Sequence, residues 1–311
     1  MIFISSPRVC VSLSLSLTLS FFFSLTHQPT HMSEDLPSSW VTPHVASAFP
    51  LRHEIRTSRG EHVTLERIVY ETEGASRDAV PLSSRALSQL LALIDANLGP
   101  MYRQHGRAIY PAIPKPKPPH HTLAPTSWHP HKTREMQTPG LVYVTYHDTR
   151  DPDRTPLAFV SLLLTHEPEL ARRAKVLYLY EIHVAHVMQG LGLGTWLLCG
   201  GVDATLRALR RAMRPGDFHG LELTVFSGNE RALKLYRERL QMSLAPWSPQ
   251  DCNEAKHPRP KITASQHLTR RRTRARTYTF ITEDETEAID GTAAAPRIRP
   301  VYYVLTWPGC P

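Results

Sequence analysis

The feature that most constrains this chain lies at residues 180–198, YEIHVAHVMQGLGLGTWLL. It completes an apolar run, VLYLYEIHV (176–184), that alternates on neither face and so reads as a central strand. A short connection follows, and Gln189-Gly190-Leu191-Gly192-Leu193-Gly194 opens a helix. Glycines allow positive φ and close approach of a ligand to the backbone. Free N–H groups and the positive end of the helix dipole then suit a diphosphate. A nicotinamide-dinucleotide site is disfavoured, because it wants the glycines after the first strand and an acidic residue about twenty positions on, and Asp203 is too near. A nucleotide-triphosphate loop is disfavoured because no Gly-Lys-Ser/Thr follows.

The flanking pattern fits one α/β domain. Apolar residues at Leu87, Leu90, Leu91, Ile94 and Leu98 predict a helix over 83–98, capped by Ser83 or Ser84 and stopped by Gly99-Pro100. Strands are expected at 61–72, 141–148, 156–167, 221–226 and 300–307. Helices are expected at 195–213 and at 229–240, the latter capped by Asn229. Gly200-Gly201 inside the first of these implies close packing on a neighbour. Two segments are expected to be disordered insertions: the proline-rich stretch at about 107–127, and 253–299, which carries the basic run Arg270 to Arg276. Residues 32–82 read as an N-terminal extension and 83–311 as the domain. Residues 1–31 resemble a signal peptide, and a start at Met32 is the preferred reading.

The net charge of +8, from 36 Lys+Arg and 28 Asp+Glu, suggests acidic partners such as nucleic acid or a ribosome surface, but its placement favours an excess carried by tails and loops. No aromatic interleaving supports specific nucleic-acid readout. Cys10, Cys199, Cys252 and Cys310 form no CxxC pair, which argues against a zinc knuckle or disulfide framework and fits a reducing compartment. His120, His121, His129 and His131 cluster in or beside the proline-rich loop, where a solvated segment is expected in preference to a metal site.

Q-x-x-G-x-G (Gln189 to Gly194), together with the element order, resembles the GCN5-related acetyltransferases. The segments IDANLGPMY, SWHPHKTREM, LYLYEIHV, LTVFSGNERALKLYRERLQM, SPQDC and YYVLT are similar to the NatD branch, which acetylates the Ser-Gly-Arg-Gly amino terminus of histones H-four and H-two-A. The resemblance implies a GNAT fold, a mixed central sheet flanked by helices, with two strands splayed around the pantetheine of acetyl-CoA. It implies Glu181 as general base, acting through a water, to take a proton from the substrate amine as it attacks the thioester directly. The alternative for Glu181 is a salt-bridged core glutamate. Ile182, His183 and Val184 are expected to offer backbone groups, with the His183 side chain a spectator. Gln189, Gly190, Leu191, Gly192, Leu193, Gly194 and Thr195 are expected around the diphosphate, with Gln189 standing where an arginine is often found. Asn229 is a helix cap or a cofactor contact, and Tyr236 is core packing or a neighbour of the departing thiolate. Tyr102, Thr165, Glu167, Tyr180, Thr224 and Tyr302 are the substrate-side candidates, with Thr165 at a position that is acidic in the branch. The implied partners are histone tails and, second, a ribosome; no metal and no membrane is expected, and the implied location is nucleus and cytoplasm, or secretory if residues 1–26 act as a signal. An acetyltransferase for lysine or a small amine, or an inactive binding module, stays open.

Overall fold

The computed structural model describes residues 38–57, 59–74, 76–110, 127–170, 174–253, 281–282 and 297–309. A nine-stranded sheet runs through the middle of them. Its strands are β1 (Arg52–Arg56), β2 (His62–Glu71), β3 (Val80–Pro81), β4 (Val142–Asp148), β5 (Pro156–His166), β6 (Lys175–Val184), β7 (Phe218–Phe226), β8 (Ser243–Leu244) and, last in the chain, β12 (Tyr302–Trp307). The order is β1-β2-β4-β5-β6-β7-β12-β8, with β3 beside β2. Neighbours are antiparallel except β2–β3 and, at the centre, β6–β7. The expected strands therefore form, joined in one mixed central sheet.

One face is covered by α1 (Ser38–Ala48), by a helix α4 built from Leu193–Trp196, the π-helical turn Leu197–Val202 and Asp203–Ala212, and by α5, built from Glu230–Leu233 and the π-helical Lys234–Arg239. Val41, Val45, Leu198, Val202 and Leu206 pack there on Val144, Val160 and Leu177. The other face is covered by α2 (Ser84–Ile109) and α3 (His129–Glu135), where Leu90, Ile94, Tyr102, Trp128 and Met136 pack on Tyr143 and Phe159. Gly201 lies against Phe49, whose ring a Cβ at that position would overlap. This is the close packing that the paired glycines imply.

Three expectations change. Helix α2 does not stop at Gly99-Pro100 but runs to Ile109 with Pro100 inside it. The missing hydrogen bond costs about 3 kcal/mol, and the second half compensates by burying Tyr102, His105 and Ile109. Residues 38–81, set apart as an extension, supply α1 and three strands to the same layers. At the start of and within 253–299, the short strands β9 (Cys252–Asn253), β10 (Ile281–Thr282) and β11 (Arg297–Arg299) form a separate three-stranded sheet. The rest of that segment, residues 111–126, His120, His121 and the basic run lie outside the described residues. No helix of the described residues is long and apolar enough to cross a membrane.

Candidate active site

The central parallel pair comes apart. β6 and β7 pair from Lys175↔Phe218, with a register shift after Lys175, to Leu179↔Leu223, and their pairing ends there. Beyond that point β6 stays with β5, as in Ile182↔Val160, while β7 follows β12, as in Thr224↔Val304. The β6 edge from Tyr180 onward is left open toward a cleft of about 750 Å³. Its lining includes Tyr180–Val184, Gln189, Gly190, Gly192–Thr195, Thr224, Asn229, Arg231 and Tyr236.

A bulge decides what faces that cleft. Ser161 pairs with Glu181 but Leu162 pairs with Leu179, so Tyr180 is an extra residue on β6. Before it, Leu177 and Leu179 belong to the core beneath α1 and α4. With strict alternation Glu181 would join them. The extra residue reverses the parity: Ile182 and Val184 now pack on that core, and Glu181 turns to the α2–α3 face with Tyr180. Ser161, directly across from Glu181, is fully buried, and its Oγ has no partner among the described residues.

There Glu181, 7% exposed, meets Lys132, 2% exposed, from α3. Lys132 Nζ contacts Glu181 Oε1 and donates to Glu135 Oε1 at 2.6 Å, and Tyr110 OH donates to Glu135 Oε2 at 2.6 Å. Burial alone would raise the Glu181 carboxyl, but the Lys132 charge and the His183 hydrogen bond hold it down at about 2. Burial alone would lower Lys132, but Glu135 and Glu181 carry it well above the ordinary lysine value. The ammonium also lies 5.4 Å from the centre of the Tyr102 ring, which stacks on Trp128. Glu181 is thus both a salt-bridged glutamate and a wall of the cleft, and it is ionised throughout the neutral range.

The hydrogen bonds continue outward from Glu181 to Arg231. His183 Nε2 lies 2.6 Å from Glu181 Oε2, and His183 Nδ1 lies 3.2 Å from Asn97 Nδ2. The Asn97 amide nitrogen can only donate, so the ring carries its proton on Nε2 and donates a hydrogen bond from it to the carboxylate. Asn97 Nδ2 also donates to Val184 O (3.2 Å). Gln189 Nε2 donates to Val184 O (2.9 Å) and to Asn97 Oδ1 (3.2 Å), and Gln189 Oε1 accepts from Arg231 at 2.6 Å. Two expectations are corrected. The His183 side chain is not a spectator, because it orients Glu181. The Val184 carbonyl is not free for a cofactor, because two side-chain amides occupy it.

The glycine loop fits a diphosphate. Gly190 (φ +81°) and Gly192 (φ +83°) take left-handed backbone that a side chain would strain, and a Cβ on either would meet open space. The first bond of α4 is Trp196 N–H to Gly192 O at 2.9 Å, so the N–H groups of Leu193, Gly194 and Thr195 precede the helical ladder. Leu193 itself is buried core and Leu191 packs beside it, so these two contribute backbone only. Asn229 does cap α5, its Oδ1 accepting from Ala232 N–H at 3.2 Å, and it also lines the cleft. Tyr236 is both core and cleft wall, 6% exposed.

Of the substrate-side candidates, Tyr102, Tyr180, Thr224 and Tyr302 line the cleft. Thr165 and Glu167 do not. They lie at and beyond the far end of β5, where Thr165 pairs with Val176, several residues from Ser161↔Glu181. Glu167 accepts Glu169 N–H at 3.1 Å and faces Glu222 of β7. Burial and the Glu167 charge raise the Glu222 carboxyl to about 8. His129 contacts Asp95 at 3.2 Å and His131 stacks on Tyr110; no group of three or more His, Cys, Asp or Glu among the described residues could hold a metal. Sequence reasoning missed Lys132, Glu135, Tyr110, Asn97 and Arg231. The one signal was the i,i+3 Lys–Glu spacing, which ordinarily marks a solvated helix face.

A split parallel pair, a glycine-led helix in the gap and a buried carboxylate at the fork are arranged as the expected GNAT fold requires. Residues 107–241 match the sequence model of the acetyltransferase (GNAT) family. The chain is 38% identical over 173 residues to N-alpha-acetyltransferase 40 of Saccharomyces cerevisiae, covering 53% of this chain and 54% of that protein. It therefore spans about half the length of the curated relative it matches. Similar solved structures include a NatC complex bound to Gag peptide and CoA (15% identity, 58% of this chain and 86% of that one, TM-score 0.33). Another is Arabidopsis thaliana NAA60 with a bisubstrate analogue (12% identity, 68% and 92%, TM-score 0.31).

Proposed function

We propose that this chain transfers acetyl from acetyl-CoA to the N-terminal α-amine of a protein, with the Ser-Gly-Arg-Gly terminus of histones H-four and H-two-A as its substrate. The observation that carries the reading is the open β6 edge with Glu181 at the fork. Acetyl-CoA supplies an activated thioester, and the groups suited to hold it are the β6 edge at Ile182 and His183 and the N–H groups of Gly190–Thr195. An amine arriving past Tyr102, Tyr180, Thr224 and Tyr302 reaches Glu181 from the far side.

A carboxylate held at about 2 is a weak base toward a free α-ammonium, whose pKa is about 8. At neutral pH about a tenth of such amines are already neutral. Glu181 is suited to the later proton, the one the nitrogen sheds once bond formation has made it cationic and acidic. A water between the two would find a further polar partner in the Ser161 hydroxyl. Lys132 and His183 keep the acceptor ionised and aimed.

Glu167 and Thr165 lie away from the cleft lining, which favours a second reading, an acetyltransferase for lysine or another amine. Nuclear and cytoplasmic residence and ribosome contact belong to the proposal. The test is acetyl transfer to two Ser-Gly-Arg-Gly peptides, each with an internal lysine, one with a free and one with a blocked amino terminus. Modification of the free terminus alone is expected. Transfer to both peptides would move the protein to the second reading, and transfer to neither would remove the histone assignment.

A further inference from the structure

We infer that Arg231 supplies, from α5, the cation that the glycine loop lacks at position 189, and that Gln189 is its seat and not a ligand of the diphosphate. The inference rests on the acetyl-CoA reading above. Its first support is the direction of the Gln189 amide. The nitrogen donates to Val184 O at 2.9 Å and to Asn97 Oδ1 at 3.2 Å, so both N–H groups are turned into the protein. What Gln189 presents to the loop is a carbonyl oxygen, which an anion avoids and a cation seeks.

The cation is there. Arg231 Nη1 donates to Gln189 Oε1 at 2.6 Å across 42 residues of sequence. No carboxylate among the described residues pairs with Arg231, and the residue is exposed on the cleft wall. A guanidinium has five donors in a planar fork; one is used on Gln189, and the fork is suited to bidentate phosphate binding. Asn229, two residues earlier, fixes the start of α5 by its cap and so fixes where Arg231 emerges. Gly190 and Gly192, at positive φ with open space above them, leave the approach to this guanidinium clear. The charge is thus moved from the loop to the facing helix, and Asn97 aligns its seat with the same amide that orients His183.

The test is calorimetric titration of acetyl-CoA into the full chain, into Arg231→Ala and into the double variant Gln189→Arg/Arg231→Ala. Arg231→Ala is expected to weaken acetyl-CoA binding at least tenfold and to flatten its salt dependence, with the kinetic loss falling on KM for acetyl-CoA far more than on kcat. The double variant, with a charge restored on the loop, is expected to recover most of the affinity. Binding by Arg231→Ala within twofold of the parent would overturn the inference, and so would a double variant no better than the single one. If the parent itself gives no saturable binding of acetyl-CoA, the proposed function fails, which is a separate result.

Discussion

Replacing Lys132 by Met tests the buried charge network directly. The change keeps length and apolar volume while removing the ammonium that joins Glu135 to Glu181. Glu181 is held ionised to about pH 2 against an ordinary value of 4.5. At about 1.4 kcal/mol per pH unit this amounts to about 3 kcal/mol, with Lys132 the largest stabilising cause. Breaking a buried pair by removing one partner costs about 3–5 kcal/mol, in agreement. For a domain of this size the melting temperature should fall by about 6–12 °C at pH 7. The sign follows from the depressed carboxyl. Its stabilisation is fully present above 4.5 and is lost as pH falls toward 2, so parent and variant should converge across that window. Urea melts at pH 7 and at steps below 4.5 read both effects. A difference under about 1 kcal/mol at pH 7, or one that does not shrink with acid, would refute the reasoning.

Glu222→Gln should act in the opposite pH direction. A carboxyl raised to about 8 lets the unfolded chain ionise first, so parental stability falls as pH rises from 4.5 to about 8; the variant should lose that slope in denaturant melts. Gly201→Ala should cost about 1–3 kcal/mol by thermal melt, because the new methyl group overlaps Phe49. Asn97→Ala removes one amide that serves both His183 and Gln189, so steady-state kinetics should show kcat lowered and KM for acetyl-CoA raised together. A loss confined to one of the two constants would break the proposed linkage.

The central strands and the glycine loop were legible because burial on two faces leaves an apolar run, and because positive φ favours glycine at Gly190 and Gly192. β1 was not legible: Arg52, His53, Glu54 and Arg56 surround Ile55, the single buried residue of an edge strand. Pro100 misled because the local penalty of a proline is visible in sequence and the tertiary burial that offsets it is not. The bulge at Tyr180 leaves no mark on composition, yet it sets which face Glu181 occupies. Glu181 itself was identifiable as a carboxylate in an apolar strand. Its partners were not, because Lys132 and Asn97 are polar residues on helices, where solvent is the usual neighbour.

The most direct test of the account is Glu181→Gln, measured for acetyl-CoA binding and for acetyl transfer to a free peptide amine in the same preparation. Retained binding shows that the variant has kept its cleft. The account predicts binding close to that of the parent and transfer slowed by about 10²-fold or more, the range of a lost proton acceptor. Transfer at the parental rate with binding intact would contradict it.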